Sequence, residues 1–358
     1  MNPYKAKILP FSYDIDRELL QLVAEANKKY GEYKSLLHTL KFDSSFFLNS
    51  VILTDSFKST QIEGTQVSQD EMYYLNYMPE NDDNKEIRNL KRTVEYASEQ
   101  ILSGNKIDIN LINKMHSIIL DSVRGSNRNP GQIRDSQNWI GPRGCTIETA
   151  TFVPPAPSEV YSLLLNLFEY MNNEFIDPFL VNVAISHAQF ETIHAYKDGN
   201  GRLGRAIIPI QMAMLDESVP ILYLSEILEL YKPAYQRNLM ELRRGNILGY
   251  LKFFMQVVID QCSNYIVKIL RINQIYEEDL EKIKAIKGNS VYQIMPLIMK
   301  QIVFTKKEMQ NISGLSEQTV SRVINQLIDL NVIVKDSTVM KKGYRYQRVY
   351  EVFIGREI

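Results

Sequence analysis

The chain has 358 residues, room for two or three domains, with 45% hydrophobic and 23% charged residues and only 16 Gly and 13 Pro. Those figures exclude a disordered, collagen-like or low-complexity chain. Lys and Arg number 41 against 42 Asp and Glu, a net charge of −1, so no global field drives the whole chain onto nucleic acid or anionic lipid.

Two cysteines, Cys145 and Cys262, are too few for a disulfide scaffold and lack the spacing of a zinc site. The N-terminal residues Lys5, Lys7, Asp14, Asp16, Arg17 and Glu18 surround no apolar signal core. The longest uncharged stretch, Pro178–Phe190, is 13 residues and holds Asn182, His187 and Gln189, so nothing spans a bilayer. The expected location is the cytoplasm.

Apolar residues recur at three- and four-residue spacing in Leu19–Ala26 and Leu48–Phe57. The second run lies inside a helix predicted over Ser44–Glu63, with Asp43 as N-cap and Gly64 as its stop. Its last turn ends Ser59-Thr60-Gln61-Ile62-Glu63-Gly64. A carboxylate there faces the negative end of the helix dipole, at a cost of roughly 0.3–1 kcal/mol unless a cation compensates. Ser68 and Glu71 have the spacing of a capping box. The polar loop Asn81-Asp82-Asp83-Asn84 then precedes helices predicted over Ile87–Ile101 and Ile109–Leu120.

Between Val123 and Pro157, nine Gly and Pro residues break any helix and leave a long loop. Within it, Cys145–Val153 has the β-branched content of a short hairpin. Loops of this length in compact domains are usually functional. A helix over Val160–Met171 follows.

Asp177-Pro178 reads as a helix start, Asp as N-cap and Pro in the first turn. Leu180, Val183, Ala184, His187, Phe190 and His194 fall on one face of that helix. His187 has no Cys or third His near it and is expected to be a hydrogen-bonded core histidine. The helix runs into His194-Ala-Tyr-Lys-Asp-Gly-Asn-Gly-Arg-Leu-Gly-Arg205, and an apolar helix, Ala206–Leu215, follows at once. Gly199, Asn200 and Gly201 permit left-handed backbone, so successive N–H groups can face one concavity at a helix start, a nest for phosphate. Arg202 and Arg205 can fork two phosphate oxygens. Asp198 supplies one hard carboxylate, suited to Mg²⁺ held jointly with a polyphosphate. His194 titrates where a base for a hydroxyl proton should. Base, metal ligand and anion nest within twelve residues describe attack of a hydroxyl on a nucleotide phosphate. The alternative is a polar turn with a solvated Asp-Gly-Asn-Gly loop.

Helices are further predicted over Leu248–Leu270 and Glu277–Lys287, with a boundary at Gly288-Asn289. From Lys287 onward there are 11 basic and 6 acidic residues, net +5. Lys306–Ile312 and Ser316–Leu330 read as amphipathic helices around a Gly314 turn. Val332–Lys335 and Arg345–Phe353 read as strands around Lys341-Lys342-Gly343. Helix, turn, helix, hairpin is the order of a winged helix-turn-helix. Gln318, Thr319 and Arg322 would lie on the exposed face of its recognition helix. Lys306, Lys307, Lys341, Lys342, Arg345 and Arg348 would meet DNA phosphates. Winged helices also dock proteins, and fold analogy is the main support for DNA.

The stretch from His194 to Arg205 resembles the signature of the Fic family, His-Pro-Phe-x-Asp/Glu-Gly-Asn-Gly-Arg-x-x-Arg. Ala195 replaces the usual Pro and Tyr196 the usual Phe. The resemblance implies a mainly α protein with a helical catalytic core and a β-hairpin flap, here followed by the winged helix. It implies transfer of AMP from ATP, with Mg²⁺, onto a Ser, Thr or Tyr hydroxyl of a target protein. In that picture His194 is the base and Asp198 holds Mg²⁺. Asn200 and the Gly199, Gly201 and Arg202 backbone hold the α- and β-phosphates, and Arg205 reaches the γ-phosphate. Pro130-Gly131, Arg134, Gly141-Pro142 and Val153-Pro154-Pro155 resemble the approach to the flap, about Cys145–Phe152, where a target segment would add as a strand. Tyr231, Tyr235, Gln236 and Arg243 resemble the wall of the adenine pocket. Ser59-x-x-x-Glu63-Gly64 resembles the inhibitory helix of Fic proteins, in which Glu63 would pair with Arg205. One guanidinium fork cannot serve a carboxylate and a phosphate at once.

The resulting expectation is an autoinhibited protein adenylyltransferase. Its N-terminal helical region is 1–100, its catalytic core 101–286 and its winged helix domain 287–358. Its partners are a target at the flap, its own chain through self-modification, DNA through the winged helix, and a second copy as a homodimer, with no membrane. Two alternatives stand beside it: a DNA-binding regulator that uses the core as a nucleotide sensor, and an enzyme that removes AMP, Glu63 positioning the water. A pure sensor has no need of His194 and Asp198 in their places, which favours the enzyme.

Overall fold

The computed structural model describes residues 2–142, 144–173, 177–337 and 342–356. Its fold is mainly helical, and its contacts divide it into two compact units. The first comprises residues 1–30, 55–66 and 81–261, the second 31–54, 67–80 and 262–358. Among the described residues no helix is long and apolar enough to cross a membrane.

The first unit is built around α6 (Phe179–Ile193), buried from Leu180 to Ile193 on every side. Sequence periodicity suggests a single apolar face, but a helix with so few charges has no side that water favours. It packs against α5 (Pro157–Met171), α7 (Asn200–Leu215) and α9 (Lys232–Arg243). Helix α3 (Asp82–Leu102), capped by the Asn81 side chain on the Asn84 N–H, packs against α7 and against α4 (Ile109–Ile119), which Asp108 caps. The expected cap of α6 is corrected: Pro178 takes that place without a side-chain bond, and Asp177 accepts from the Tyr13 and Tyr170 hydroxyls at 2.6 and 2.5 Å.

The hairpin expected over Cys145–Val153 is not formed. Among the described residues of this loop only Ile140 and Phe152 pair, as a single antiparallel bridge. Residues 144–151 turn instead, with Thr149 Oγ1 accepting from the Thr146 N–H at 3.0 Å, and Trp139 Nε1 donates to Cys145 O at 3.0 Å. Threonine hydroxyls and indole donors here offer the backbone an alternative to a ladder.

In the second unit, α11 (Ser290–Gln301), α12 (Lys306–Ser313) and α13 (Glu317–Asp329) pack on one another beside a small antiparallel sheet of order β1-β3-β2. Its strands are β1 (Val303–Thr305), β2 (Val334–Asp336) and β3 (Gly343–Arg345), and Arg345 lies opposite both Val303 and Val334. Thr305 and Glu308 form a capping box for α12, Gly314 ends it at φ +69°, and Ser316 caps α13. The strand expected over Arg345–Phe353 is corrected: it stops at Arg345, and α14 (Gln347–Phe353) follows. Val349, Tyr350, Val352 and Phe353 are buried at helical rather than alternating spacing, with Phe353 against Phe46, Phe47 and Tyr73.

The helices expected over Leu248–Leu270 and Glu277–Lys287 are one, α10 (Ile247–Ile283). No Gly or Pro interrupts Arg271–Tyr276, and Ile272, Ile275, Tyr276, Asp279 and Ile283 continue its buried stripe.

Candidate active site

Helix α6 ends because His194 adopts a left-handed conformation, φ +50°, costly for a residue with a β-carbon. Its surroundings hold it there. Buried Arg134 donates from Nε to His194 O at 2.9 Å and from its backbone N–H to Ala195 O at 2.9 Å. Asn138 Nδ2 donates to His194 O and Tyr196 O at 3.2 and 3.0 Å.

The loop that follows is closed by Asn200. Its Oδ1 accepts from the Tyr196 N–H at 2.8 Å and its Nδ2 donates to Tyr196 O at 2.7 Å. The Asn200 side chain, expected at the phosphates, is therefore occupied in shaping the loop. Tyr196 stacks on His116 at 3.9 Å between ring centres, and its hydroxyl donates to Asn113 Oδ1 at 2.7 Å. His116 Nδ1 accepts from the Gly131 N–H at 2.8 Å, so its Nε2 donates to Asp198 O at 2.9 Å. Gly199 turns the chain at φ +76°, and α7 starts at Asn200 with its first N–H groups free of intrahelical partners.

Two cavities meet at His194. One, of about 240 Å³, is polar and is lined by Arg124, Lys197, Asp198, Gly199, Asn200 and Arg202. The other, of about 470 Å³, is lined by Ile140, Phe152, Glu191, Arg205, Tyr235, Gln236, Leu239, Met240 and Arg243. His194, Gly201 and Glu63 border both. The structure thus brings together all but one of the residues expected for base, metal, phosphate and base-pocket roles. Tyr231 lies apart, its hydroxyl donating to Asp260. His187 is the expected core histidine, bonded to Gly204 O and the Tyr235 hydroxyl at 3.2 and 2.9 Å.

The half-buried His194 ring has Nδ1 enclosed without a partner, leaving Nε2 to reach the cavities. Burial, with Arg243 next, pulls its pKa down to about 4, so the ring is neutral at pH 7. Asp198 is 41% exposed on its cavity, with Oδ1 accepting from the Gly199 N–H at 2.6 Å. Among the described residues no group of three or more His, Cys, Asp or Glu side chains could cage a metal. One open carboxylate suits Mg²⁺ only if phosphates supply the other oxygens.

The two arginines are not free forks. Arg205, 3% exposed, donates from Nη2 to Glu63 Oε1 at 2.7 Å and to Ser59 O at 2.9 Å, and from Nε to Ser59 Oγ at 2.8 Å. Both partners sit in or just past the last turn of α2 (Ser44–Ile62). A β-carbon at Gly201 would strike Glu63 Oε1, so only glycine there lets the carboxylate lie against the start of α7. Lys232 Nζ donates to Ile62 O at 2.5 Å, the cation that the end of α2 needs. Burial alone would raise the Glu63 pKa, but Arg205, then Arg202 and His194, hold it below the usual range.

Arg202 Nη1 lies 3.4 Å from the wholly buried Glu86 carboxylate and its Nη2 lies 3.6 Å from Asp198. Its Nε and Nη1 have no hydrogen-bond partner. Glu86 also accepts from the Thr65 hydroxyl at 3.0 Å and pairs with Arg124 at 3.3 Å. Glu86 and Glu191 escaped the sequence reading. The available signal was an acid set beside apolar residues: Glu86 precedes Ile87, and Glu191 follows Phe190.

Of the residues expected at DNA, Gln318 and Arg322 are exposed on α13, and the Thr319 hydroxyl bonds Ser316. Two others are engaged within the second unit. Arg345 is engaged by Asp336 at 3.0 Å and by the Tyr74 hydroxyl, and Arg348 by Glu278 at 2.6 Å. Lys341 lies outside the described residues.

A helical core thus closes a glycine-rich turn behind a histidine, and comparisons with known proteins find the same family over much of the chain. Residues 106–212 match the Fic/DOC family and residues 20–99 match the Fic/DOC family N-terminal region, together more than half of the chain. The chain belongs to the Fic/DOC family. Its fold matches the crystal structure of a Fic family protein from Desulfovibrio desulfuricans G20, with a TM-score of 0.61 at 18% identity, covering 94% of this chain and 97% of that one. A structure of Fic-1 from Caenorhabditis elegans matches with a TM-score of 0.52 over 69% of this chain and 72% of that chain, at 17% identity.

Among curated relatives, the protein adenylyltransferase fic-1 of Caenorhabditis briggsae is 27% identical over 169 residues, 45% of this chain and 30% of that protein. A probable protein adenylyltransferase of Aquifex aeolicus is 25% identical over 221 residues, 58% of this chain and 65% of that protein. The chain thus spans less than two thirds of the length of these relatives and is their distant homologue.

Proposed function

We propose that this chain is a protein adenylyltransferase held in check by Glu63. The observation that carries the proposal is that His194 stands where two cavities meet. One has the size and mixed lining of a nucleoside site, and the other is a polar pocket at a helix N-terminus, suited to phosphates. A hydroxyl oxygen of the target attacks the α-phosphorus of ATP as its proton passes to His194 Nε2. The new O–P bond forms, the α–β bridging P–O bond breaks, and pyrophosphate leaves with the electron pair. The first N–H groups of α7 receive the phosphates, and Arg202, held by Glu86 through Nη1, borders the same polar cavity as a fixed cation. Asp198 would hold Mg²⁺, which when bound offsets charge on the phosphates. The target segment would run beside Ile140 and Phe152, which pair with each other and line the nucleoside cavity.

In this reading Glu63 occupies Arg205, the cation meant for the terminal phosphate, and the chain is nearly silent. The region 287–358 forms a winged helix accessory module on α12, α13 and the three-stranded sheet, which docks a partner. The test is intact mass of wild type, Glu63→Gly and Glu63→Gly/His194→Ala after incubation with ATP and Mg²⁺. A gain of one AMP by the Glu63→Gly protein alone is the expected result. No gain in any of the three, with a panel of candidate targets also unmodified, sinks the proposal.

A further inference from the structure

One wall group of the larger cavity has no part in the transfer chemistry. Glu191 lies in the last turn of α6, three residues before His194, and is 6% exposed. Its Oε1 is enclosed and has no hydrogen-bond partner. That oxygen lies against the bare α-carbon of Gly204 on α7, where any β-carbon would collide with it. Arg205 and Arg243 flank the carboxyl without satisfying it, and Arg243 Nη2 donates instead to the Glu191 backbone carbonyl at 3.0 Å. Burial raises its pKa to about 7 in spite of both cations. A nearly buried acceptor with no donor is costly, and at the wall of a cavity it points to a donor on the ligand.

The chemistry of the ligand narrows the choice. Phosphate oxygens of a nucleoside triphosphate are acceptors, and its neutral donors are the ribose hydroxyls and, in adenine, the exocyclic amine. Glu191 packs on α7 between Gly201 and Arg205, at the phosphate end, and one helical turn from His194. The ribose joins the α-phosphate directly, whereas the amine is the part of the nucleotide farthest from it. We infer that Glu191 accepts hydrogen bonds from the ribose hydroxyls of the bound nucleotide and so selects ribonucleotides over deoxyribonucleotides. The inference rests on the nucleotide reading of this cavity. Acidic side chains serve the same purpose in dinucleotide-binding folds, where a carboxylate takes the ribose 2′-hydroxyl.

The experiment is calorimetric titration of the full Glu63→Gly chain with ATP, 2′-deoxy-ATP and 3′-deoxy-ATP, repeated on Glu63→Gly/Glu191→Gln. At pH 8 and above, where Glu191 is ionised, loss of a hydroxyl bonded to it should weaken binding of at least one analogue about tenfold or more. With Glu191→Gln the preference should shrink severalfold, since the charge-assisted bond is about twice as strong as a neutral one. Equal affinity for ATP and both analogues in the Glu63→Gly chain overturns the assignment and leaves nucleotide binding standing. Binding of none of the three overturns the nucleotide reading, and the assignment with it. The analogue comparison needs no Glu191 variant, so it decides the question even where Glu191→Gln does not fold.

Discussion

Glu63 Oε1 and Arg205 Nη2 are 2.7 Å apart, and the same guanidinium also bonds the Ser59 hydroxyl and carbonyl. The end of α2 therefore supplies three acceptors to a cation that the start of α7 has buried. A phosphate could claim the Nη2 edge of Arg205 only by displacing the carboxylate, because Ser59 and Glu63 already take its donors there. A charge-assisted bond of this kind contributes about 1.5–3 kcal/mol. Glu63→Gly should accordingly raise the rate of AMP transfer by about tenfold to a hundredfold, read as radiolabel from ATP on a target or on the chain itself. A variant no faster than wild type removes the autoinhibitory role of Glu63.

Lys232 tests the same contact from the other end. Its ammonium caps Ile62 O, one residue before Glu63, where the helix dipole is unfavourable to a carboxylate. Lys232→Met keeps the apolar stem and removes the cation, worth about 0.3–1 kcal/mol at a helix terminus. Transfer activity should rise a few-fold, clearly less than with Glu63→Gly, and the double variant should match Glu63→Gly alone. Additive effects in the double variant would mean that Lys232 acts elsewhere.

The twelve residues from His194 to Arg205 were legible because their chemistry is local: glycines for the turn, a base before it, cations after it. Fold class and most helix positions followed from apolar spacing. What spacing could not show was which polar side chains are spent on structure. Asn200 closes its own loop, Arg345 and Arg348 are paired within the second unit, and Glu86 neutralises Arg202 from a helix more than a hundred residues earlier. Such pairings depend on which helices meet. The hairpin over Cys145–Val153 and the strand over Arg345–Phe353 failed for a related reason. β-branched and aromatic content reads as strand locally, while hydroxyl-to-backbone bonds in the first case and burial of Phe353 in the second decided otherwise.

The histidines give the acid side of the pH profile. His194 and His116 have pKa values lowered to about 4 and His187 to about 3, in each case chiefly by burial. In the unfolded chain they would titrate near 6.5, the ordinary value for histidine. Between those limits the unfolded state binds more protons, so stability falls as pH drops below about 6.5. Glu63 works in the same direction: its lowered pKa contributes stability above the ordinary glutamate range and loses it as pH falls through the folded value. These groups pull the melting temperature down from pH 7 toward pH 4, opposed in part by buried Glu191 and Asp55, whose raised pKa values of about 7 and about 6 favour the folded state at the lower pH. Over the same span kcat/KM of the Glu63→Gly chain should stay level until about pH 5, because His194 remains unprotonated. An acid limb centred near pH 6.5 that is absent from a His194-independent binding assay would contradict the depressed histidine.

Glu86 offers the sharpest test of how the phosphate turn is held. Its wholly buried carboxylate faces Arg202 and Arg124 and accepts from the Thr65 hydroxyl, just past Gly64. Glu86→Ala strands the buried Arg202 guanidinium and should destabilise the chain by about 3–5 kcal/mol, the usual consequence of breaking one side of a buried pair. Glu86→Gln keeps the volume and an acceptor for Thr65 while removing the charge. Urea unfolding should place it between wild type and Glu86→Ala. If Glu86 acts mainly by orienting Arg202, the Gln variant made in the Glu63→Gly chain should lose affinity for ATP several-fold more than affinity for adenosine, which has no phosphate to read. Equal losses for the two ligands would assign Glu86 to packing alone.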